Sequence, residues 1–425
     1  YASGNPATGA NPGATWTPAT EYTDGFTPYF TASGGGDADG ILNFGQDSTF
    51  GGAISAGGNA DGNGFGDFKY APPTGFLAVC SANLPISDDI DPAQTDDNFP
   101  QKNFNTILYT GTGSSNAISG LGFQPDLVWL KQRGSSGSNM LLDTNRGTNA
   151  RLSANNTNEE RTASSYFTSF DSDGFTVTGN DSISNVSSGT FVGWCWRANG
   201  GTTASNSNGS ITATVQANTA AGFSIATYTS PGSGTNHTVG HGLSDVDFII
   251  TKNRSSAFNW YCFHKSVPDK TYRLNDGGEF SYSNWSMGAT TWGSEDGYTH
   301  NSTNNFVAYC WQNVEGFQKF GNYTGNGNSD GPFVYLGFRP ALLVLKRTTS
   351  SGFWNVFDGT RKTFNSSAND YLVWNNSDAE ANGVPIDFTS SGFKVRSSGS
   401  GVNSSGTTMI YMAWGSVPFK YANTF

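Results

Sequence analysis

The sextet Phe191-Val192-Gly193-Trp194-Cys195-Trp196 comes back as Phe306-Val307-Ala308-Tyr309-Cys310-Trp311 and again as Met409-Ile410-Tyr411-Met412-Ala413-Trp414. Each closes a stretch that opens 83 to 91 residues earlier on a Tyr-Thr pair and a Gly-rich turn, at Tyr109-Thr110, Tyr228-Thr229 and Tyr323-Thr324. A period that long copies a whole domain, not a solenoid rung. Between opening and close, each copy holds an apolar run that ends on a lysine, 22 to 24 residues after the opening Tyr. These are Leu127-Val128-Trp129-Leu130-Lys131, Phe248-Ile249-Ile250-Thr251-Lys252 and Leu342-Leu343-Val344-Leu345-Lys346. A run apolar at successive positions predicts a central strand covered on both faces.

Working outward, 425 residues give a prior of about three domains. The chain carries 55 Gly and 14% aromatics but only 13% charged residues. Disordered polar chains lack such aromatics, and helical proteins carry more Ala, Leu and charge, so the class is all-β. The expected architecture is a set of tandem antiparallel β-sandwiches, jelly-roll or concanavalin-like. A net charge of −11 without a basic cluster argues against nucleic acid and anionic membrane surfaces. No apolar run reaches the length of a membrane helix. The chain opens on Tyr1, which implies processing or a missing upstream part.

In chain order, residues 1–86 are Gly-rich, with a strand at Ile41-Leu42-Asn43-Phe44-Gly45-Gln46. A further apolar strand is expected after the Pro72-Pro73 turn, in Gly75-Phe76-Leu77-Ala78-Val79-Cys80-Ser81-Ala82-Asn83-Leu84-Pro85. This segment resembles the C-terminal half of the SPRY-like β-sandwich of phage structural proteins, with Val79 and Ser81 as departures. Residues 87–103 are acidic and Pro-punctuated, a linker. The copies then run 104–198, 221–316 and 317–425, with a linker at 199–220 that holds the isolated strand Ile211–Val215. Because Glu315-Gly316 passes directly into Phe317, the second and third copies are expected to pack end to end.

The repeated unit resembles a small domain of unknown function common in structural proteins of marine phages. The first copy carries that pattern most fully: Tyr109-Thr110-Gly111, Gly122-Phe123 through Lys131, Leu142-Asp143 with Arg146-Gly147, Ser169-Phe170 with Asp173-Gly174-Phe175, and Trp194-Cys195-Trp196. The third keeps Phe357-Asp358-Gly359-Thr360-Arg361, while the second has Phe263-His264 in that place. The resemblance implies a virion component and gives no established activity.

Candidate chemistry is thin. His237, His241, His264 and His300 all lie in the second copy, and the spacing of His237 and His241 on a strand does not make one coordinating face. They read as ordinary exposed histidines, and neither metal nor cofactor is expected. Cys195 and Cys310 share a slot filled by Ala413 in the third copy, so they and Cys80 read as free thiols; a Cys262–Cys310 bridge stays open. Asp143 with Arg146, and Asp358 with Arg361, keep one spacing in two copies and read as structural ties, as do the closing Trp196, Trp311 and Trp414. Lys131, Lys252 and Lys346 read as gatekeepers or snorkelling strand caps. The adjacent carboxylates Glu159-Glu160 and Glu295-Asp296 point to opposite faces of a strand, unlike a glycosidase pair. Trp285, Trp292, Tyr298, Tyr371 and Trp374 are candidate sugar-stacking aromatics.

The expected role is a non-enzymatic structural protein of the virion, a tail fibre or capsid-surface fibre engaged in host attachment. Alternatives are a decoration or filament-forming subunit and a glycan-degrading tail enzyme. Expected partners are further copies of the chain (a homotrimer or other homo-oligomer), other virion proteins, and a host-surface glycan or protein.

Overall fold

The computed structural model describes residues 44–49, 52–80, 83, 102–232, 237–281, 285–294, 303–349, 351–361, 365 and 369–415. The chain divides into two compact units, Tyr1–Ile90 and Asp91–Phe425.

In the first unit the described residues form turns and one isolated bridge, Asn59 to Phe68, in place of the expected sandwich strands. Asp61 organises them: one carboxylate oxygen accepts from the Asn63 and Phe65 amides, the other from the Ala78 amide and Asn83 Nδ2. Burial opposes the charge, yet these donors hold the carboxyl down at about 2. Gly45 and Gly66 have φ of 97° and 86°, and a Cβ on either would strike Ala78 and Phe68. Over residues 75–80 the expected second strand is absent: Phe76, Leu77 and Val79 are exposed, not alternately buried. Residues 41–43, 81–82 and 84–86 lie outside the described residues.

The second unit is all-β and contains the three copies, each a two-layer sandwich. In copy 1 the inner sheet has the order Phe104–Thr110, Thr190–Trp196, Leu127–Gln132, Met140–Asp143, all antiparallel. Over it lies an outer sheet of Asn116–Ser119, Gly174–Val177 and Phe167–Asp171. Copy 2 repeats the inner order with Phe223–Thr229, Asn305–Trp311, Phe248–Asn253 and Trp260–His264, and the outer one with His237–Gly240, Thr291–Ser294 and Trp285–Met287. Copy 3 does so with Gln318–Thr324, Thr408–Gly415, Pro340–Arg347 and Trp354–Asp358, then Phe333–Tyr335, Gly392–Val395 and Ile386–Thr389. The segment read as a linker at 199–220 contributes strands Ala204–Asn206 and Ala213–Asn218 to one edge of the inner sheet of copy 2, and Lys270–Arg273 and Glu279–Ser281 add to the other, for eight strands in all.

Strand alternation sends each central run two ways. Val128 and Leu130 enter the private core of copy 1 with Phe175 and Val177, and Ile249 and Leu343 do the same in copies 2 and 3. Leu127 and Trp129, Phe248 and Ile250, and Leu342 and Val344 face the other way, into one core shared by all three copies. The copies are therefore not strung in series or stacked end to end, as their order in sequence led us to expect. They close around a common centre. There the closing Trp196, Trp311 and Trp414 meet edge-on, with ring centroids 6.0, 5.4 and 6.0 Å apart. Each is at most 1% exposed. Edge-to-face indoles use both the ring quadrupole and a large apolar area.

Closure is visible in equivalent hydrogen bonds. Gly137 N donates to Ser377 O, Phe258 N to Thr157 O, and Gly352 N to Gly277 O, at 2.8, 2.8 and 3.1 Å. A side-chain donor beside each repeats the rule: Asn139 Nδ2 to Trp374 O, Trp260 Nε1 to Ser153 O, Trp354 Nε1 to Arg273 O. Copy 1 thus leans on copy 3, copy 2 on copy 1, and copy 3 on copy 2.

Candidate functional site

The ionisable groups most prominent in the sequence lie in the three seams of this ring. At the copy 1/copy 2 seam, Arg146 Nε meets Asp143 Oδ2 at 2.5 Å, and its Nη1 meets Glu160 at 3.1 Å. Arg254 of copy 2 grips the same Glu160 with two bonds of 2.7 and 2.9 Å, and Tyr309 OH donates to Asp143 at 2.7 Å. Burial opposes the charge on Arg146, but Asp143 and Glu160 hold it above the ordinary guanidinium range. Burial likewise pushes Glu160 up, and the two arginines bring it below the usual carboxylate range.

The copy 3/copy 1 seam is built alike. Arg361 meets Asp358 at 2.5 Å and Glu380 at 3.2 Å. Arg133 of copy 1 holds Glu380 with bonds of 2.7 and 2.9 Å, and Trp194 Nε1 donates to Asp358 at 3.1 Å. The structural reading of both Asp/Arg ties stands in these contacts. Their outer partners were missed, though a signal exists: Arg133 and Arg254 each follow the strand-ending lysine by two residues.

At the copy 2/copy 3 seam four members have changed. His264 and Val267 replace the Asp and Arg, Met412 the Tyr309 or Trp194, and Thr348 the outer arginine. His264 Nε2 donates to Tyr411 O at 3.2 Å, and its Nδ1 accepts from Ser266 Oγ at 2.9 Å. Burial drives its pKa down to about 4, so the ring is neutral.

The three strand-ending lysines are seam groups too, not gatekeepers or snorkelling caps. All are at most 1% exposed. Lys131 Nζ donates to Gly137 O and, across the seam, Asn376 O; Lys252 Nζ to Asn253 O and Thr157 O. Lys346 Nζ bonds Arg347 O and stands 5.6 Å from the Tyr272 ring of copy 2. Burial with only carbonyl and π partners lowers all three to about 8.

Two of the five candidate sugar-stacking aromatics are corrected by burial. Trp292 is fully buried in the core of copy 2, and Trp374 stacks on Trp129 at 4.1 Å inside the shared core, so neither has a face open to a sugar. Tyr371 is half-buried beside Phe357, and Tyr298 lies outside the described residues. Trp285 is half-buried, donates to Thr271 Oγ1 and lines a slot of about 200 Å³ with Met287, Pro268, Lys265 and Lys270. Both lysines there are paired, with Asp245 and Glu279. A second, polar cleft of about 350 Å³ lies over the Arg133–Glu380 pair, edged by Thr190, Asp370 and Asn382.

The histidines also differ from expectation. His241 and His264 are buried, each with both ring nitrogens hydrogen-bonded, and His300 lies outside the described residues. All four cysteines are free, so no Cys262–Cys310 bridge forms. Glu160 is bound by two arginines, while Glu295 and Asp296 lie outside the described residues. Among the described residues, no three His, Cys, Asp or Glu side chains are placed to hold a metal ion, and no helix is long and apolar enough to cross a membrane.

No curated protein and no solved structure matches the chain. One family model does, running without interruption over all three copies and stopping where the ring stops. The chain belongs to the family defined by the domain of unknown function DUF7483, matched over residues 99–418.

Proposed function

We propose that this chain is a non-enzymatic structural component of a phage particle, an appendage of tail or capsid surface that contacts the host. The observation that carries the reading is the use made of its charged side chains. The Asp–Arg–Glu–Arg groups are consumed in joining copies to one another. A ring closed by buried ion pairs and a tryptophan centre is a rigid support on which loops and outer sheets can present a recognition surface. The phage context comes from the resemblance of the repeated unit. In this reading the partners are other virion proteins, further copies of the chain, and a host-surface glycan or protein.

The test is to incubate labelled protein with candidate host cells and, separately, with purified envelope polysaccharide. Coated cells and polymer of unchanged length are expected, together with antibody labelling of intact particles. Shortened polymer would replace this reading with a depolymerase; labelled particles with bare cells would replace it with a decoration subunit.

A further inference from the structure

The outer-sheet edge strand Phe333–Tyr335 of copy 3 departs from its counterparts. Register against the neighbouring strand aligns Phe333, Val334 and Tyr335 with Ala117, Ile118 and Ser119 of copy 1 and with Thr238, Val239 and Gly240 of copy 2. The middle residue is buried in every copy. At the flanking positions a methyl, a hydroxyl or no side chain suffices elsewhere, so the sandwich does not require rings there. Phe333 and Tyr335 are nevertheless 50% and 63% exposed. Strand alternation puts both on the outward face, about 7 Å apart along the chain.

The surroundings depart as well. Lys319, where the other copies have Asn105 and Ser224, donates from Nζ to Tyr335 O at 3.0 Å and stands 5.6 Å from its ring centroid. Lys394, directly across from Phe333, pairs at 2.7 Å with Asp330, whose side chain is 84% exposed. Two open rings are therefore bordered by ammonium groups and a carboxylate.

We propose that this edge is a carbohydrate-binding platform on which Phe333 and Tyr335 stack against sugar rings of a surface polysaccharide, while Lys319, Asp330 and Lys394 meet their hydroxyls. A pyranose has an apolar C–H face and a polar rim, so an aromatic plane with hydrogen-bonding groups at its border complements both. Size favours sugar over protein: two partly open rings offer roughly 200 Å², against about 800 Å² per partner in a standard protein interface. The platform rests on the attachment reading and gives it a ligand class and a place.

The test uses the full chain against an immobilised panel of bacterial surface polysaccharides and against whole cells. The double variant Phe333→Ala/Tyr335→Ser installs the residues of copy 1 and should melt with the wild type; Phe353→Ala, another exposed aromatic of copy 3, is the control. Wild type and control should bind a polysaccharide at least about tenfold more tightly than the double variant, a loss of about 1.4 kcal/mol. Equal binding by the double variant overturns the platform and leaves attachment standing. Cell binding that protease treatment of the cells abolishes, with no polysaccharide bound, overturns the carbohydrate assignment. A wild type that binds neither cells nor polysaccharide overturns both.

Discussion

Two of the three seams are held by buried charge and the third by almost none. Seams 1/2 and 3/1 each enclose an Asp, two Arg and a Glu, with Tyr309 or Trp194 completing the Asp. Seam 2/3 keeps the shared backbone bond, Gly352 N to Gly277 O, and a neutral imidazole in place of the carboxylate. The substitutions come as a set, on both sides of the seam. Buried ion pairs explain why. Removing one partner leaves an uncompensated charge in a dry site, whereas replacing all partners together is close to neutral.

That difference makes the largest prediction. Arg146→Val strands Asp143 and part of Glu160, and should cost about 3–5 kcal/mol in denaturant unfolding. Installing the four third-seam residues, Asp143→His, Arg146→Val, Arg254→Thr and Tyr309→Met, together with the neutralising Glu160→Gln, should recover most of that loss. Neighbouring substitutions of this kind are strongly non-additive. A transplant as unstable as the single variant would mean that the charged seams do something the neutral one cannot.

The same contrast marks what could be read from sequence. The Asp/Arg spacing, repeated in copies 1 and 3, was legible as a structural tie because a fold requirement recurs with the fold. The strands were legible from alternation, and the doubly apolar run at Leu127–Leu130 signalled cover on both faces. What covered the second face was not legible. A strand pattern records burial, not the identity of the neighbour, and here the neighbour lies more than a hundred residues away. Lys131, Lys252 and Lys346 were misread for the same reason: a lysine ending a strand is normally a surface cap, and only ring closure buries it. Trp292 and Trp374 failed as sugar platforms because composition does not separate an exposed aromatic from a core one. Conversely Phe333 and Tyr335, flanking a core valine, stand out only once the three copies are aligned by register.

The buried lysines give the next effect. Their folded pKa of about 8 lies below the ordinary lysine value of 10.5. Between those limits the unfolded chain binds more protons, so stability rises with pH across that window. Each unit of depression is worth about 1.4 kcal/mol. Above about pH 8.5 the buried thiols of Cys195, Cys262 and Cys310 oppose this rise, and from about pH 10 Tyr109, Tyr309 and Tyr323 add to the reversal, because burial raises all of them and only the unfolded chain ionises there. The melting temperature should therefore climb by roughly 2 °C or more from pH 7.5 to 8.5. Lys131→Met should flatten about a third of that slope. A melting temperature independent of pH in this interval would place the lysines in contact with water.

The smallest effect separates the seams at acid pH. Burial lowers His264 to about 4 when folded, against the ordinary imidazole value of 6.5. The stability tied to its neutral form is fully present above 6.5 and is lost as pH falls towards 4. Glu160 and Glu380 are held below the usual carboxylate range, so these two seam carboxylates stay ionised through that interval. His241, in the sandwich of copy 2, is also lowered by burial and adds to the loss without belonging to a seam. The two histidines can be told apart by substitution. His264→Gln should remove about 1–2 kcal/mol of the decline between pH 6.5 and 4.5, and His241→Gln should remove its share without changing amide exchange along Thr408–Gly415. If acid exposes those amides equally in wild type and His264→Gln, the imidazole at seam 2/3 is not what holds copy 3 against copy 2.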